Sequence, residues 1–231
     1  MQSTIAIWSD KVSNVAQVGG IETSVLDNGL SRGVRIAWFN TGSGLRFKVV
    51  IDRAMDIADA FFNQHSIAWL SHPGVMAPQP FSNKGADWLR TFGGGLVTTC
   101  GLSHVGGDEK DEFGERGVHD LISNTPAEII SIIQPDPARG INTMSMTGII
   151  KQSKIFGPAL ELKRTISATL GEACIHIHDE IINRGNEAAP HMLLYHCNFG
   201  WPLADEGAQI FCNGEQPKTC PIINDKHNGP G

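Results

Sequence analysis

VRIAWFNTGSGLRFKVVI, residues 34 to 51, decides the fold class. Val34, Ile36 and Trp38 alternate with Arg35 and Ala37, and after the turn Thr41-Gly42-Ser43-Gly44 the residues Leu45, Phe47, Val49 and Ile51 alternate with Arg46 and Lys48. Successive side chains of a strand point to opposite faces, so this period of two predicts two half-buried strands. The glycine-rich turn between them predicts a hairpin.

The same signal recurs along the chain. A second pair is expected over Asp56 to Phe62 and Ser66 to Leu70, around Asn63-Gln64-His65. A further strand over Ala127 to Ile133 ends at Gln134-Pro135-Asp136-Pro137, where prolines cannot serve a central ladder. Leu160 to Thr169 and Cys174 to Asn183 flank Leu170-Gly171-Glu172 as another hairpin. No long segment has helical periodicity, so the expectation is an all-β sandwich or barrel. The glycine-rich stretch 71 to 119 reads as loops crossing one face, and long loops in a compact domain commonly carry function.

At 231 residues the chain suits one large domain, able to bury roughly 70–75% of its unfolded surface. Hydrophobic residues are 41% and charged residues 18%, a globular composition. A net charge of −6 offers no basic face for phosphates, so nucleic acid is not an expected partner. No apolar run approaches the roughly 20 residues of a membrane helix, and MQSTIAIWSD lacks the marks of a signal peptide. Five irregularly spaced cysteines without a CxxC pair suggest reduced thiols, hence a cytoplasmic protein.

Several motifs bear on chemistry. FGGGLVTTCGL, residues 92 to 102, lacks the Lys-Ser/Thr of a phosphate loop and the spacing of a dinucleotide turn, so its glycines read as backbone that turns tightly or approaches a neighbour. His176, His178 and Glu180 share one strand face; they are either metal ligands or, as favoured here, the polar side of a strand whose other face carries Ile175, Ile177 and Ile181. His119, in ERGVHDLISNTPAE, sits at a cleft edge beside Asp120, which could orient or charge it. His196, in HMLLYHCNFGWPL, follows the apolar run Met192-Leu193-Leu194 and precedes a turn. It is either a packed core histidine or a proton donor, since imidazole titrates near neutrality. Arg53, in VVIDRAMDIAD, is either ion-paired with its flanking aspartates or a fork for hydroxyls or a carboxylate. No GxSxG elbow is present, which disfavours acyl transfer.

Taken in order, IDRAMDI, FGGGLVTTCGL, GVHDLISNTPAE and LYHCNFGWPL resemble the aldose 1-epimerase (galactose mutarotase-like) superfamily, specifically a poorly characterised bacterial branch. The likeness runs from about Arg53 to Leu203. It implies one large antiparallel β-sandwich over residues 1–231 that binds a small-molecule sugar across one sheet, without metal or organic cofactor. It implies His196 as general acid toward the ring oxygen, His119 as a second catalytic histidine that contacts the sugar, and Arg53, Asn124 and Asn198 as sugar contacts. Sugar sites also favour aromatic faces, so Trp201 is either a further sugar contact or a core-packing residue. Mutarotation opens and recloses a hemiacetal, which needs an acid for the ring oxygen and a base for the anomeric hydroxyl.

Two departures from the family pattern stand out. Asp120 follows the motif histidine where the branch tends to have glycine. The family's glutamate base lies near the end of longer chains; here no matching motif follows Pro221, and Glu206 and Glu215 stand in other contexts. The expectation is therefore a sandwich without the family's last strands, keeping the acid but not the base, with open sheet edges that favour homo-oligomers. Two other readings remain: a non-catalytic carbohydrate-binding or regulatory module, and a metal-dependent sugar isomerase using His176, His178 and Glu180.

Overall fold

The computed structural model describes residues 10–209 apart from 82, 83 and 113. Two antiparallel sheets carry the architecture. The first contains β1 (Gly20–Val25), β2 (Arg35–Asn40), β3 (Leu45–Val50), β4 (Asp56–Phe62), β5 (His65–Ser66), β6 (Val97–Leu102) and β13 (Met192–Cys197). Its order is β1-β2-β3-β4-β6-β13, with β5 paired to β4. The second runs β12-β11-β10-β9, built from β9 (Glu128–Ile133), β10 (Thr143–Ser153), β11 (Ala159–Thr169) and β12 (His176–Asn183). A small hairpin, β7 (Glu109–Asp111) with β8 (Gly114–Arg116), stands apart.

The sheets face each other across one core. Ala37, Phe39, Phe47, Val49 and Ile57 of the first meet Met144, Met146, Ile150, Leu162 and Ile166 of the second. Phe39 and Phe47, directly opposite in the β2–β3 register, stack with centroids 4.7 Å apart. Each such fully buried side chain contributes about 1.5–3 kcal/mol, which is why alternation fixes which face turns inward. The all-β sandwich expected from the alternation and the motifs is thus the architecture found.

The 34–51 hairpin, β9 and the β11–β12 hairpin form where their patterns place them, within two residues of the expected ends. The expected strand over 66–70 shrinks to β5, because Ala68 and Leu70 instead make single bridges to Phe199 and Gly94. β1 and β10 were not anticipated, although β10 is 11 residues long and pairs with both β9 and β11. The stretch 71–119 is not all loop either: it contains β7, β8 and β6, and β6 pairs with β4 and β13 inside the first sheet, its Thr98 to Leu102 buried, because the residues after the glycines turn into a packed strand. The glycines of 93–95 are packing glycines. A Cβ on Gly94 would lie 2.7 Å from the Trp69 carbonyl oxygen, and Gly95 adopts φ +106° with a Cβ position 2.8 Å from the Ile57 oxygen. β12 and β13 each pair on one side only among the described residues, leaving an open edge on each sheet.

Candidate active site

β13 sorts its residues by face. Tyr195 points between the sheets, where its hydroxyl donates to Asp179 at 2.7 Å; His196, one residue on, points to the outer face. There the long 67–95 loop lays down an aromatic floor. Trp88, buried in a short helical turn α1 (Trp88–Thr91), stacks on Phe92 with centroids 4.4 Å apart, and Phe92 meets the His196 ring edge-on at 5.3 Å. His119 packs edge-on against Trp88 at 4.7 Å, and the two imidazoles stand 6.2 Å apart. The structure therefore brings together the two histidines that lie 77 positions apart in sequence, on a floor formed by Trp88, which lies in no motif, and Phe92, which opens FGGGLVTTCGL.

The two rings differ in how they are held. His119 sits in a loop with φ +55°, and Asp120 after it has φ +57°, two consecutive left-handed residues without glycine. Such strain persists only where surroundings impose it. Asp120 supplies the anchor: its carboxylate accepts from the Ser103 backbone N–H and hydroxyl and from the Gln152 amide. It thereby fixes the loop that carries His119. His119 Nδ1 accepts the Gly106 N–H at 3.2 Å, so the neutral ring carries its proton on Nε2. Burial lowers the His119 pKa below 6.5, and His196 and His104 push it the same way. Near neutral pH this ring is an N–H donor. His196 Nδ1, by contrast, is buried without a hydrogen-bond partner among the described residues, and the ring packs against Phe92.

Arg53 does not present an open fork. It is 7% exposed, and it donates through Nε to the Ser123 carbonyl, through Nη2 to the Thr91 carbonyl at 3.0 Å and through Nη1 to the Met76 carbonyl at 3.4 Å. Burial lowers its pKa to about 10, opposed by Asp56. Asn124 is tied to the same floor, donating to the Thr91 hydroxyl at 2.9 Å and accepting from the Gln79 N–H at 3.1 Å. Asn198 braces its own turn through the carbonyls of Gly95 and His196. Trp201 is 72% exposed, in a turn seated against Trp69, with its indole N–H on Asp205. Of these four residues, which the resemblance implies as sugar contacts, Arg53, Asn124 and Asn198 brace backbone and neighbouring side chains, and Trp201 is open.

His176 and His178 lie on the exposed face of β12, and Glu180 there pairs with Lys163 at 2.9 Å. Among the described residues no group of three His, Cys, Asp or Glu side chains is arranged to hold a metal ion. Sequence reasoning overlooked Asp179 between them. It faces inward and grips Arg164, its register partner on β11, with two hydrogen bonds of 2.9 and 2.7 Å. The signal was available: each is a charged residue at an inward position of an otherwise apolar alternation.

The chain belongs to the family described as Domain of unknown function (DUF4432), which matches residues 31–228. No curated protein matches it. Among solved structures it is similar to a provisionally assigned aldose 1-epimerase from Klebsiella pneumoniae subsp. pneumoniae MGH 78578, with a TM-score of 0.69 and 21% identity over 84% of this chain and 52% of that one. A galactose 1-epimerase from Lactobacillus acidophilus NCFM gives a TM-score of 0.44 at 12% identity, over 71% and 48% of the two chains. The chain thus spans about half the length of the solved relatives it matches. At 21% identity the likeness to the Klebsiella structure shows a shared fold. Among the described residues no helix is long and apolar enough to cross a membrane.

Proposed function

We propose that this chain carries the proton-donating part of an aldose 1-epimerase-like site, which interconverts the anomers of an aldose by opening and reclosing its ring. The observation that supports it most is the His196–His119 pair, 6.2 Å apart on the Trp88–Phe92 floor. That separation lets two imidazoles address neighbouring oxygens of one sugar ring. In this reading His196 gives its proton to the ring oxygen as the hemiacetal opens and takes it back on closure. His119, neutral and protonated on Nε2, donates to an adjacent sugar oxygen. Trp69, 41% exposed, and Trp201 offer apolar faces for the sugar's C–H side.

The anomeric hydroxyl also needs a base. The ring partners described for the two histidines are aromatic, imidazole or backbone groups, with no carboxylate among them. That favours a second reading, a carbohydrate-binding module that uses the same pocket without turnover. NMR exchange spectroscopy on common aldoses separates the two. Under the first reading anomer exchange accelerates above buffer, and His196→Ala lowers the protein's contribution by about 10²–10⁴-fold with little change in sugar affinity. An unchanged rate in that variant removes His196 from the mechanism. Sugar-dependent shifts of both imidazoles without faster exchange establish the module instead. Full-rate mutarotation places a base within this chain and overturns the division proposed here.

The open edges of β12 and β13 favour self-association, and a clean monomer by light scattering would count against it. The described cysteines Cys100, Cys174 and Cys197 are unpaired, which suits a reducing, cytoplasmic setting; Cys212 and Cys220 lie outside the described residues.

A further inference from the structure

Two links join the segment 103–107 to His119-Asp120. Ser103 donates to the Asp120 carboxylate through its backbone N–H and its hydroxyl. Gly106 accepts from the His119 backbone N–H at 3.1 Å and returns its own N–H to His119 Nδ1 at 3.2 Å. The second link sits on a turn that local packing does not hold. Gly106 has φ +119°, Gly107 follows it, and a Cβ at either position would meet no atom within 4 Å. Two adjacent glycines leave such a turn conformationally free unless something spans it. His104 does so. Its ring is buried, and Nε2 contacts the Gly107 carbonyl, which can only accept, so Nε2 carries a proton. Nδ1 lies 3.1 Å from the Glu109 carboxylate, a close contact rather than an aligned hydrogen bond. Glu109 also accepts from Arg116 Nη2 at 3.3 Å, so the β7–β8 hairpin backs the His104 ring.

We propose that His104 is a positioning residue for His119: by closing the Gly106–Gly107 turn it keeps the Gly106 N–H on His119 Nδ1, and so keeps the neutral His119 ring protonated on Nε2. Which imidazole nitrogen carries the proton is set by the hydrogen bond the other one makes. Here that bond comes from a backbone donor 13 residues earlier in the chain, and the His104 ring holds the donor in place. Asp120 pins the backbone of the same loop through Ser103; His104 governs the ring. The consequence for sugar binding rests on the reading of His119 as an N–H donor to the sugar, whereas the link from His104 to the Gly106 N–H stands without it.

Amide hydrogen exchange and NMR on the intact chain test it. In His104→Leu the Gly106 N–H should exchange about fivefold faster, and the nitrogen–nitrogen coupling across its bond to His119 Nδ1 should vanish. The Thr99 N–H, bonded to Asp56 between the sheets, should keep its rate. His104→Gln, whose amide nitrogen can take the place of Nε2 against the Gly107 carbonyl, should restore both the Gly106 rate and the coupling. An unchanged Gly106 rate in His104→Leu overturns the proposal, and so does equal acceleration of Gly106 and Thr99, which marks a general loss of stability. Glucose affinity, read from the His119 resonances, should fall about threefold in His104→Leu and recover in His104→Gln. A native chain whose His119 ignores glucose and other common aldoses refutes the sugar reading of the site, while the Gly106 rates decide the role of His104 independently.

Discussion

Tyr195 and His196 are neighbours on one strand and meet opposite worlds. Inward of the sheet, Tyr195 joins Arg164, Asp179, Asp56 and Thr99. Arg164, wholly buried, donates to Asp179, to the Thr99 hydroxyl at 2.7 Å and to the Ala54 carbonyl at 3.0 Å, and its guanidinium lies 5.8 Å from the Tyr195 ring centre. Thr99 in turn donates through its backbone N–H and its hydroxyl to Asp56. Outward, His196 is held by ring packing, and its buried Nδ1 has no hydrogen-bond partner among the described residues. A saturated hydrogen-bond network resists change, whereas a ring held by packing alone is not tied into one. The difference separates what holds the sandwich from what it can do.

The sharpest break comes from Arg164→Met, which leaves Asp179 and Asp56 uncompensated in the core. It should destabilise the fold by about 3–5 kcal/mol in urea unfolding, and adding Asp179→Leu should restore a large part of that. A loss below about 1 kcal/mol would mean the inner network does not hold the sheets together. Arg53→Ala comes next, at about 2–4 kcal/mol, because three carbonyls lose their donor at once. It should also move the ring-current-shifted resonances of His119 and His196, since the Trp88–Phe92 floor hangs on Thr91 and Ser123. Unmoved resonances would free Arg53 for the sugar-contact role that the sequence suggested.

Acid–base behaviour sharpens the contrast further. Burial raises the Asp56 pKa from 3.8 to about 6, against the opposing pull of Arg164, Thr99 and Arg53. The unfolded carboxyl ionises near 3.8 and the folded one near 6, so the folded state binds more protons in that window. Its contribution to stability therefore falls as pH rises from about 4 to 6, and Asp56→Asn should flatten that slope in denaturation curves. His119 has the reverse sign: its lowered pKa contributes stability above about 6.5 that fades as pH drops below it. The smallest expected effect is on this group. His196→Ala should raise the His119 midpoint in an NMR titration by removing a nearby cation and opening the site; a fall would mean the imidazoles do not sense each other.

How far the sequence could be read follows from the same physics. The period of two at 34–51 and the hairpin signals announced the sandwich, because burial of one face is a local property. The order of the motifs picked out His196 and His119. It did not reveal Trp88 and Phe92 beneath them, since a loop residue's neighbour is chosen by where the loop is pinned. Arg53 is the instructive case: an arginine between aspartates looks like a fork awaiting a ligand, yet its acceptors are carbonyls 23, 38 and 70 residues away.

By itself the sequence determined the hairpins at 34–51 and 160–183, the strand β9 and the inward faces of these elements, and it drew attention to His119 and His196, because alternation and residue chemistry are written one residue at a time. Only the tertiary structure decided that Arg164 meets Asp179 and that Asp120 anchors the His119 loop. Those outcomes depend on register and on which loop crosses which sheet, and they are fixed by the summed packing of many contacts rather than by any one segment.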